Sequence, residues 1–507
     1  MFKKVLVANR GEIALRVMRT CRELGIGTVA VHSDVDRNAL HTRYADEAYL
    51  LGAGPPRESY LNVRNVLRAA KQAKADAVHP GYGFLSENAD FAQACADAGL
   101  AFIGPSPNAM RLLGDKVAAR RRMREAGVPV VPGADGEVAL EEASLAAEEA
   151  GYPVLIKAAA GGGGKGIRHV SNASELEGAL RIAASEAVSA FGHGGVYVEK
   201  YLSPVRHVEV QVIADRNGNT VALGERECSI QRRHQKLIEE TPSVAVTPEL
   251  RERLLSAAVA GAKAAGYENA GTVEFLLDAE GRFYFLEVNA RLQVEHPVTE
   301  AVTGRDLVAD QIRVASGEPL GYRQADIHPT GHAIECRVSA EDPYNNFLPS
   351  LGRVDWVEEP AGPGVRVDSS LFPGVEVPYH YDPMLAKVIC WGPDRASATQ
   401  RMLRALREYV VVGIQTNIPF HLQLLTDPRF ERGAFHTGFL DNDFSMKSPD
   451  GRAEERVALL FAAVLAHLKK RRPLAIESGS AGGGGWRAAG RDRLLRGGRA
   501  LGSRWDR

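Results

Sequence analysis

Two neighbouring segments constrain the fold most. GTVEFLLD (Gly271–Asp278) and RFYFLEVNARLQVEH (Arg282–His296) both alternate with strand period, and a short turn around Glu280–Gly281 separates them. An antiparallel hairpin is therefore expected. Read as one continuous strand, the second arm puts Glu287, Asn289, Arg291, Gln293 and Glu295 on one face. Val288, Ala290, Leu292 and Val294 fall on the other. If the loop is Ala279–Arg282, Glu274 lies directly across from Glu287. Like charges so opposed destabilise a sheet, so a compensating group is expected. A divalent cation held by Glu274, Glu287 and Asn289 would serve, because carboxylate and amide oxygens suit Mg²⁺ or Mn²⁺. The alternative is a solvated face on which Arg291 neutralises the acids. Phe275, Phe283, Phe285 and Leu286 weigh against a wholly solvated hairpin.

The rest of the composition narrows the class. The 507 residues are 45% hydrophobic and 25% charged, ordinary globular usage, and the length suggests about three domains of roughly 150 residues each. A net charge of -1 gives no argument for a nucleic-acid partner. No run approaches the ~18 apolar residues of a membrane span. The opening MFKKVLVANRGE has too short an apolar segment for a signal peptide and leads into a strand. Cys21, Cys95, Cys228, Cys336 and Cys390 are scattered and lack C-x-x-C spacing, which argues for a reducing cytosol and against zinc or disulfides.

Along the chain, Lys4–Ala8, a helix over Ile13–Leu24 and a strand Thr28–His32 form a β-α-β opening. A helix over Leu61–Ala73, a strand Ala77–His79, the loop HPGYGFLSEN (His79–Asn88) and Phe102–Gly104 complete a first α/β unit. A helix near Leu140–Ala150, the strand Val154–Ala158, the loop AAAGGGGKG and the strand Ile167–Val170 follow. Further strands are expected at Gly195–Glu199 and His207–Ala214, and a helix near Asp306–Ser316. The region from His328 to Leu440 reads as β-rich, with Pro and Gly punctuation. Beyond Ser445 the chain reads as an amphipathic helix (Ala453–Leu468) and a Gly/Arg-rich tail.

Two further segments suggest chemistry. Gly161, Gly163 and Gly166 formally match a dinucleotide fingerprint, but a strand rather than a helix follows. Lys165 precedes Gly, not Ser or Thr, so a Walker A loop fails as well. A glycine run between two short strands suits a mobile flap whose backbone N–H groups cradle phosphates, in preference to a linker. CSIQRRHQK (Cys228–Lys236) packs four cations, counting His234, into Arg232–Lys236, a solvated loop or a phosphate contact.

These segments, with VANRGEIALRV, HPGYGFLSEN, GDKVAARR, VEKYL, RHVEVQV, ERECSIQRRHQK, EVNARLQVEHPVTE, GHAIECRVSAEDP and YDPMLAKVI, resemble biotin carboxylase in matching order from about residue 2 to residue 440. Biotin carboxylase is the ATP-grasp component of acetyl-CoA, acyl-CoA and pyruvate carboxylases. The resemblance implies an α/β (α+β) chain with a Rossmann-like pre-ATP-grasp domain (1–114), an ATP-grasp domain (115–327) with a glycine-rich lid over about 131–203, a β-rich C-terminal domain (328–445) and a tail (446–507).

By the same resemblance, Lys116 and Lys157 contact ATP phosphates, with Gly163 and Gly164 in the flap. Glu199, Lys200 and Leu202 hold the adenine, His207, Gln231 and His234 line ribose and phosphates, and Leu276 packs near the base. Glu274, Glu287 and Asn289 match the ligands of Mg²⁺ or Mn²⁺, with two ions implied. Lys236, Arg291, Gln293, the backbone of Val294 and Arg337 match the bicarbonate pocket, Glu295 the general base, and Tyr82 borders the biotin. His79 and Glu87 are read as loop-ordering, and Cys228 and Cys336 as apolar fillers. Ala290 stands where relatives usually carry Thr or Pro, away from the ligand face. The implied partners are a biotin carboxyl carrier protein and carboxyltransferase subunits on separate chains, with a homodimer, no nucleic acid, no membrane and a cytoplasmic location. Ser445–Ser448 (SMKS) lacks the second Met of a biotinylation motif. The competing readings are another ATP-grasp ligase and a nucleotide-binding scaffold.

Overall fold

The computed structural model describes residues 1–134, 136–159, 167–191 and 194–448, and in the tail 457, 459–464 and 467. Residues 1–446 form one compact unit and 447–507 a second.

The first layer is a five-stranded parallel sheet in the order Glu47–Gly52, Gly27–Ser33, Lys4–Val7, Ala77–His79, Ala101–Phe102. Helices cover it, so its central strands are apolar on both faces; Val5, Leu6 and Val7 are all fully buried. Between the strand Ala77–His79 and the helix Ala89–Asp97 runs the HPGYGFLSEN loop. Asn9 Nδ2 donates to the carbonyls of Pro80 and Tyr82, each at 2.7 Å. Gly81 has φ +64°, and a Cβ there would come within 2.9 Å of Asn9. A residue without a side chain is required at that approach, and the approach fixes where Tyr82 and Glu87 point. His79 accepts from the Gly81 N–H at 3.0 Å, in keeping with a loop-ordering role.

The second layer is a three-stranded antiparallel sheet, Ile167–Val170, Val154–Ala158, Val196–Lys200. Gly163 and Gly164 lie outside the described residues.

The third layer is an eight-stranded sheet. Its order is Phe283–Asn289, Asn269–Leu277, Arg206–Ala214, Thr220–Arg232, Gln235–Thr241, His332–Ser339, Met384–Gly392, Val365–Ser369. It runs without a break from the hairpin into the region after His328. That region is β-rich only in its first half. Helices occupy Arg395–Glu408 and Ile418–Leu425, the first burying Ala398, Met402 and Leu406 against the sheet.

The hairpin departs from expectation in two ways. Its loop is shorter: Leu277 pairs with Phe283, and Asp278 N–H bonds the Arg282 carbonyl at 3.0 Å. Gly281, at φ +77°, takes the left-handed position. A bulge at Leu286 then restores the pairing of Glu274 with Glu287. The strand also stops at Asn289; Ala290–Glu295 is irregular and a helix begins at His296. The single five-residue polar face is therefore corrected: Glu287 and Asn289 are on the strand, while Arg291, Gln293 and Glu295 come from a loop entering a helix.

Among the described residues no helix is long and apolar enough to cross a membrane. The helix expected over Ala453–Leu468 falls partly outside the described residues. Residues 457, 459–464 and 467 are helical, with Val457, Leu460, Phe461 and Val464 exposed.

Candidate active site

Five strands of the large sheet and the loop Ala290–Glu295 converge on Lys236. The expected basic cluster divides here. Arg233 and His234 adopt left-handed φ values of 49° and 65° at an exposed hairpin tip. Arg232 folds back, donating to the Asn346 carbonyl at 2.8 Å and lying over Phe347. Lys236 alone turns inward. Its ammonium donates to Glu209 Oε2 at 2.5 Å, Glu274 Oε1 at 2.9 Å and Glu295 Oε1 at 2.6 Å. His207–Glu209–Glu274 and Glu209–Cys228–Glu295 each bring ligand atoms within 4.8 Å of one another, but both clusters already converge on that ammonium.

Glu295 is gripped from the other side by Arg337, whose Nη2 donates to Oε2 at 2.9 Å; Arg337 also pairs with Glu239 at 2.5 Å. Burial pushes the Glu295 carboxyl up, but Lys236, Arg337 and Arg226 outweigh it and hold it well below the usual carboxylate range. Glu274 is held low likewise: burial opposes, and Lys236 and then His207, 3.0 Å away, prevail. Glu239 goes the other way. Burial, with the Glu295 charge adding, pushes it up to about 7 against the pull of Arg337.

Beneath these groups lies Arg226, fully buried and paired across the strands with Glu209. Its guanidinium donates to Glu209, Gln211, Thr299, Thr272 and Gln293 at 2.5–3.0 Å. Gln293 in turn donates to Glu274 Oε1 at 3.0 Å, so both ends of its amide are fixed. Arg291 pairs not with the hairpin acids but with Glu87, Nε to Oε2 at 2.9 Å, while Glu87 Oε1 accepts the Ala290 N–H at 3.0 Å. Glu87 thus orders more than its own loop: it reaches across and clamps the segment that carries Arg291.

The proposed metal ligands meet. Asn289 Nδ2 donates to Glu274 Oε1 at 2.8 Å. Glu287 forms no hydrogen bond or ion pair with the described residues, and burial and the Glu274 charge push its carboxyl up. Four carboxylates (Glu209, Glu239, Glu274, Glu295) face Arg226, Lys236, Arg337 and His207. An unpartnered carboxylate beside Glu274 and Asn289 fits a divalent cation.

The residues expected at the nucleotide are partly engaged with one another. Glu199 takes Arg120 on Oε1 and Lys157 on Oε2, each at 2.5 Å, all three buried. Lys200 donates to the carbonyls of Gly151 and Tyr152. Lys116 heads the helix Lys116–Glu125, capped by Asp115, and its charge partly opposes the upward push on Glu287. Gln231 lies 3.3 Å from His207 Nδ1, Leu276 pairs across the strands with His207, and Leu202 is half-buried. Cys228 and Cys336 are fully buried and burial pushes both thiols up, which suits packing rather than nucleophilic roles.

Tyr82, Gln235, Arg291, Val294, Arg337 and Asp382 line a cavity of about 420 Å³. Sequence reasoning missed Glu209, Arg226, Glu239 and Arg120. The first two sit inside RHVEVQV and ERECSIQRRHQK, where the pairing register of two adjacent strands was the signal that could have found them.

Comparison with known proteins decides the family. Residues 1–110 match Biotin carboxylase, N-terminal domain; 115–323 match Carbamoyl-phosphate synthase L chain, ATP binding domain; and 335–442 match Biotin carboxylase C-terminal domain. The chain is 55% identical over 443 residues to biotin carboxylase 1 of Bacillus subtilis, covering 87% of this chain and 98% of that one. The chain belongs to the biotin carboxylase family. It is an ATP-dependent ligase that carboxylates biotin. A pyruvate carboxylase subunit of Methanothermobacter thermautotrophicus is also 55% identical, over 87% of this chain and 90% of that one. The biotin carboxylase domain dimer of the Hydrogenobacter thermophilus 2-oxoglutarate carboxylase, solved with MgADP, ADP and bicarbonate, superposes at a TM-score of 0.84 with 48% identity, covering 88% of this chain and 100% of that one. Biotin carboxylases thus serve as parts of carboxylases with different acceptors.

Proposed function

We propose that Glu295, held between Lys236 and Arg337 and adjacent in the chain to Val294, which with Arg337 lines the 420 Å³ cavity, is the base that activates bicarbonate in this chain. That placement carries the reading. A carboxylate held so low is a weak base by itself. Bicarbonate drawn toward Lys236, Arg291 and Arg337 takes a share of those cations, and Glu295 becomes more basic as its partners turn to the substrate. Glu295 then removes the bicarbonate proton. The freed oxygen attacks the γ-phosphorus of ATP, the bond to the ADP oxygen breaks, and carboxyphosphate forms. Lys116 and Lys157 spread the phosphoryl charge, while Glu199, Lys200, Leu202, His207, Gln231, His234 and Leu276 hold the nucleotide. Mg²⁺ or Mn²⁺, held by Glu274, Glu287 and Asn289, would supply charge neutralisation at the phosphates. Carboxyphosphate yields CO₂ and phosphate, and the phosphate takes the biotin N1 proton. Arg337 stabilises the enolate-like biotin, Tyr82 borders it, and N1 attacks CO₂.

The matched family ranges support three domains near 1–114, 115–327 and 328–445. We assign a biotinylated carrier and a carboxyltransferase as partners, a homodimer as the assembly, supported by the dimeric relative, and the cytoplasm as location.

Bicarbonate-dependent ATP cleavage is expected to rise when free biotin is added; no biotin stimulation in a folded, active protein would favour a different ATP-grasp ligase. Arg337→Ala is expected to lower carboxybiotin formation by about 10²–10³-fold and leave nucleotide affinity within about twofold. Carboxylation near the wild-type rate would overturn the biotin assignment.

A further inference from the structure

The segment Ala290–Glu295 carries four of the assigned residues, Arg291, Gln293, Val294 and Glu295, yet no strand ladder holds it. Glu87 fixes its start, and Arg226 with Glu274 fixes Gln293. Its last peptide is held from elsewhere: Lys387 Nζ donates to the Val294 carbonyl at 2.8 Å. That carbonyl and the Glu295 N–H belong to one planar peptide unit, so gripping it sets the plane from which Glu295 departs.

Lys387 is an expensive way to make this contact. It is fully buried, and desolvating an ammonium costs several kcal/mol. It stands directly opposite Arg337 across the strands, a like-charge pairing that destabilises a sheet. Glu12 lies 3.5 Å away and Asp368 3.9 Å away, and Tyr82 presents its ring at 5.8 Å. Neither Glu12 oxygen has a hydrogen-bond partner, and burial pushes that carboxyl up to about 7 against the pull of Lys387. His296 and Glu335 also face the ammonium and leave it without a further short ion pair. An apolar side chain would pack this slot at lower cost, so the charge is there for the carbonyl.

We propose that Lys387 is a positioning residue that orients the Val294–Glu295 peptide and so keeps the Glu295 carboxylate between Lys236 and Arg337, with Glu12 balancing its charge. The inference rests on Glu295 acting as the base.

A mutant cycle tests it. Lys387→Met alone strands the Glu12 carboxylate, so the cycle uses Lys387→Met/Glu12→Gln, which keeps the slot neutral, with Glu12→Gln as its reference. In the otherwise wild-type enzyme the added Lys387→Met change is expected to lower kcat for bicarbonate-dependent ATP cleavage ~10- to 100-fold, with KM for ATP within about twofold. In a Glu295→Gln background the same change is expected to lower the residual kcat less than about threefold, because the residue it positions is already disabled. An equal loss in both backgrounds, or none in the first, overturns the inference. Glu295→Gln turning over near the wild-type rate overturns the base assignment itself.

Discussion

Replacing Lys236 with methionine is expected to lower turnover by about 10³-fold or more and to destabilise the protein by about 3–5 kcal/mol. Among the described residues the ammonium is the only cation in contact with all of Glu209, Glu274 and Glu295, at 2.5, 2.9 and 2.6 Å. Without it, three buried carboxylates face one another, and Arg226, Arg337, His207 and the more distant charge of Arg291 are left to divide among them. The pH dependence has a definite sign. In the wild type, Glu274 and Glu295 are held below the ordinary range, so their pairing stabilises the fold above the unfolded carboxylate pKa and is lost as pH falls through the depressed values. In Lys236→Met burial dominates and pushes these carboxyls up, so the variant loses stability as pH rises. The Tm gap between the two proteins should therefore widen from pH 5 to pH 8. A gap of equal size at both, with kcat within tenfold of wild type, would remove Lys236 from the centre of the site.

What could be read in the sequence follows a physical line. Alternation located the hairpin and the opposition of Glu274 and Glu287, because period-two patterning is a local property. It carried two errors of local geometry. The loop is one residue shorter than expected and a bulge restores the register, and the alternation of Arg291, Gln293 and Glu295 continues past the end of the strand at Asn289. The family resemblance supplied named roles but not the ionic frame. Arg226 and Glu209 are 17 residues apart, Arg337 and Glu239 are 98 apart, and Lys387 and Val294 are 93 apart. A buried charge declares itself only through its partner, and here the partners arrive through pairing across five strands. In the sequence these acids and bases look like the solvated faces of ordinary strands. The helices after Arg395 were missed for a related reason: Pro and Gly punctuation earlier in that region set a β expectation that the Arg395–Glu408 stripe then contradicts.

Arg226→Met is expected to cost the fold as much as Lys236→Met, about 3–5 kcal/mol. The guanidinium is fully buried and all five of its hydrogen bonds end on buried acceptors: Glu209, Gln211, Thr272, Thr299 and Gln293. Methionine fills the volume and satisfies none of them. Activity should fall with stability, because Gln293 loses one of its two anchors and Glu295 loses a cation that helps hold it ionised. Arg226→Lys separates charge from geometry. A lysine can still meet Glu209, but a compact ammonium cannot span the fork of acceptors that a planar guanidinium reaches. The lysine variant is therefore expected to recover part of the lost Tm while its kcat stays at least about tenfold down. Arg226→Lys matching wild type in both Tm and kcat would mean that the charge alone suffices, and that the fixed amide of Gln293 has no part in holding the proposed bicarbonate pocket.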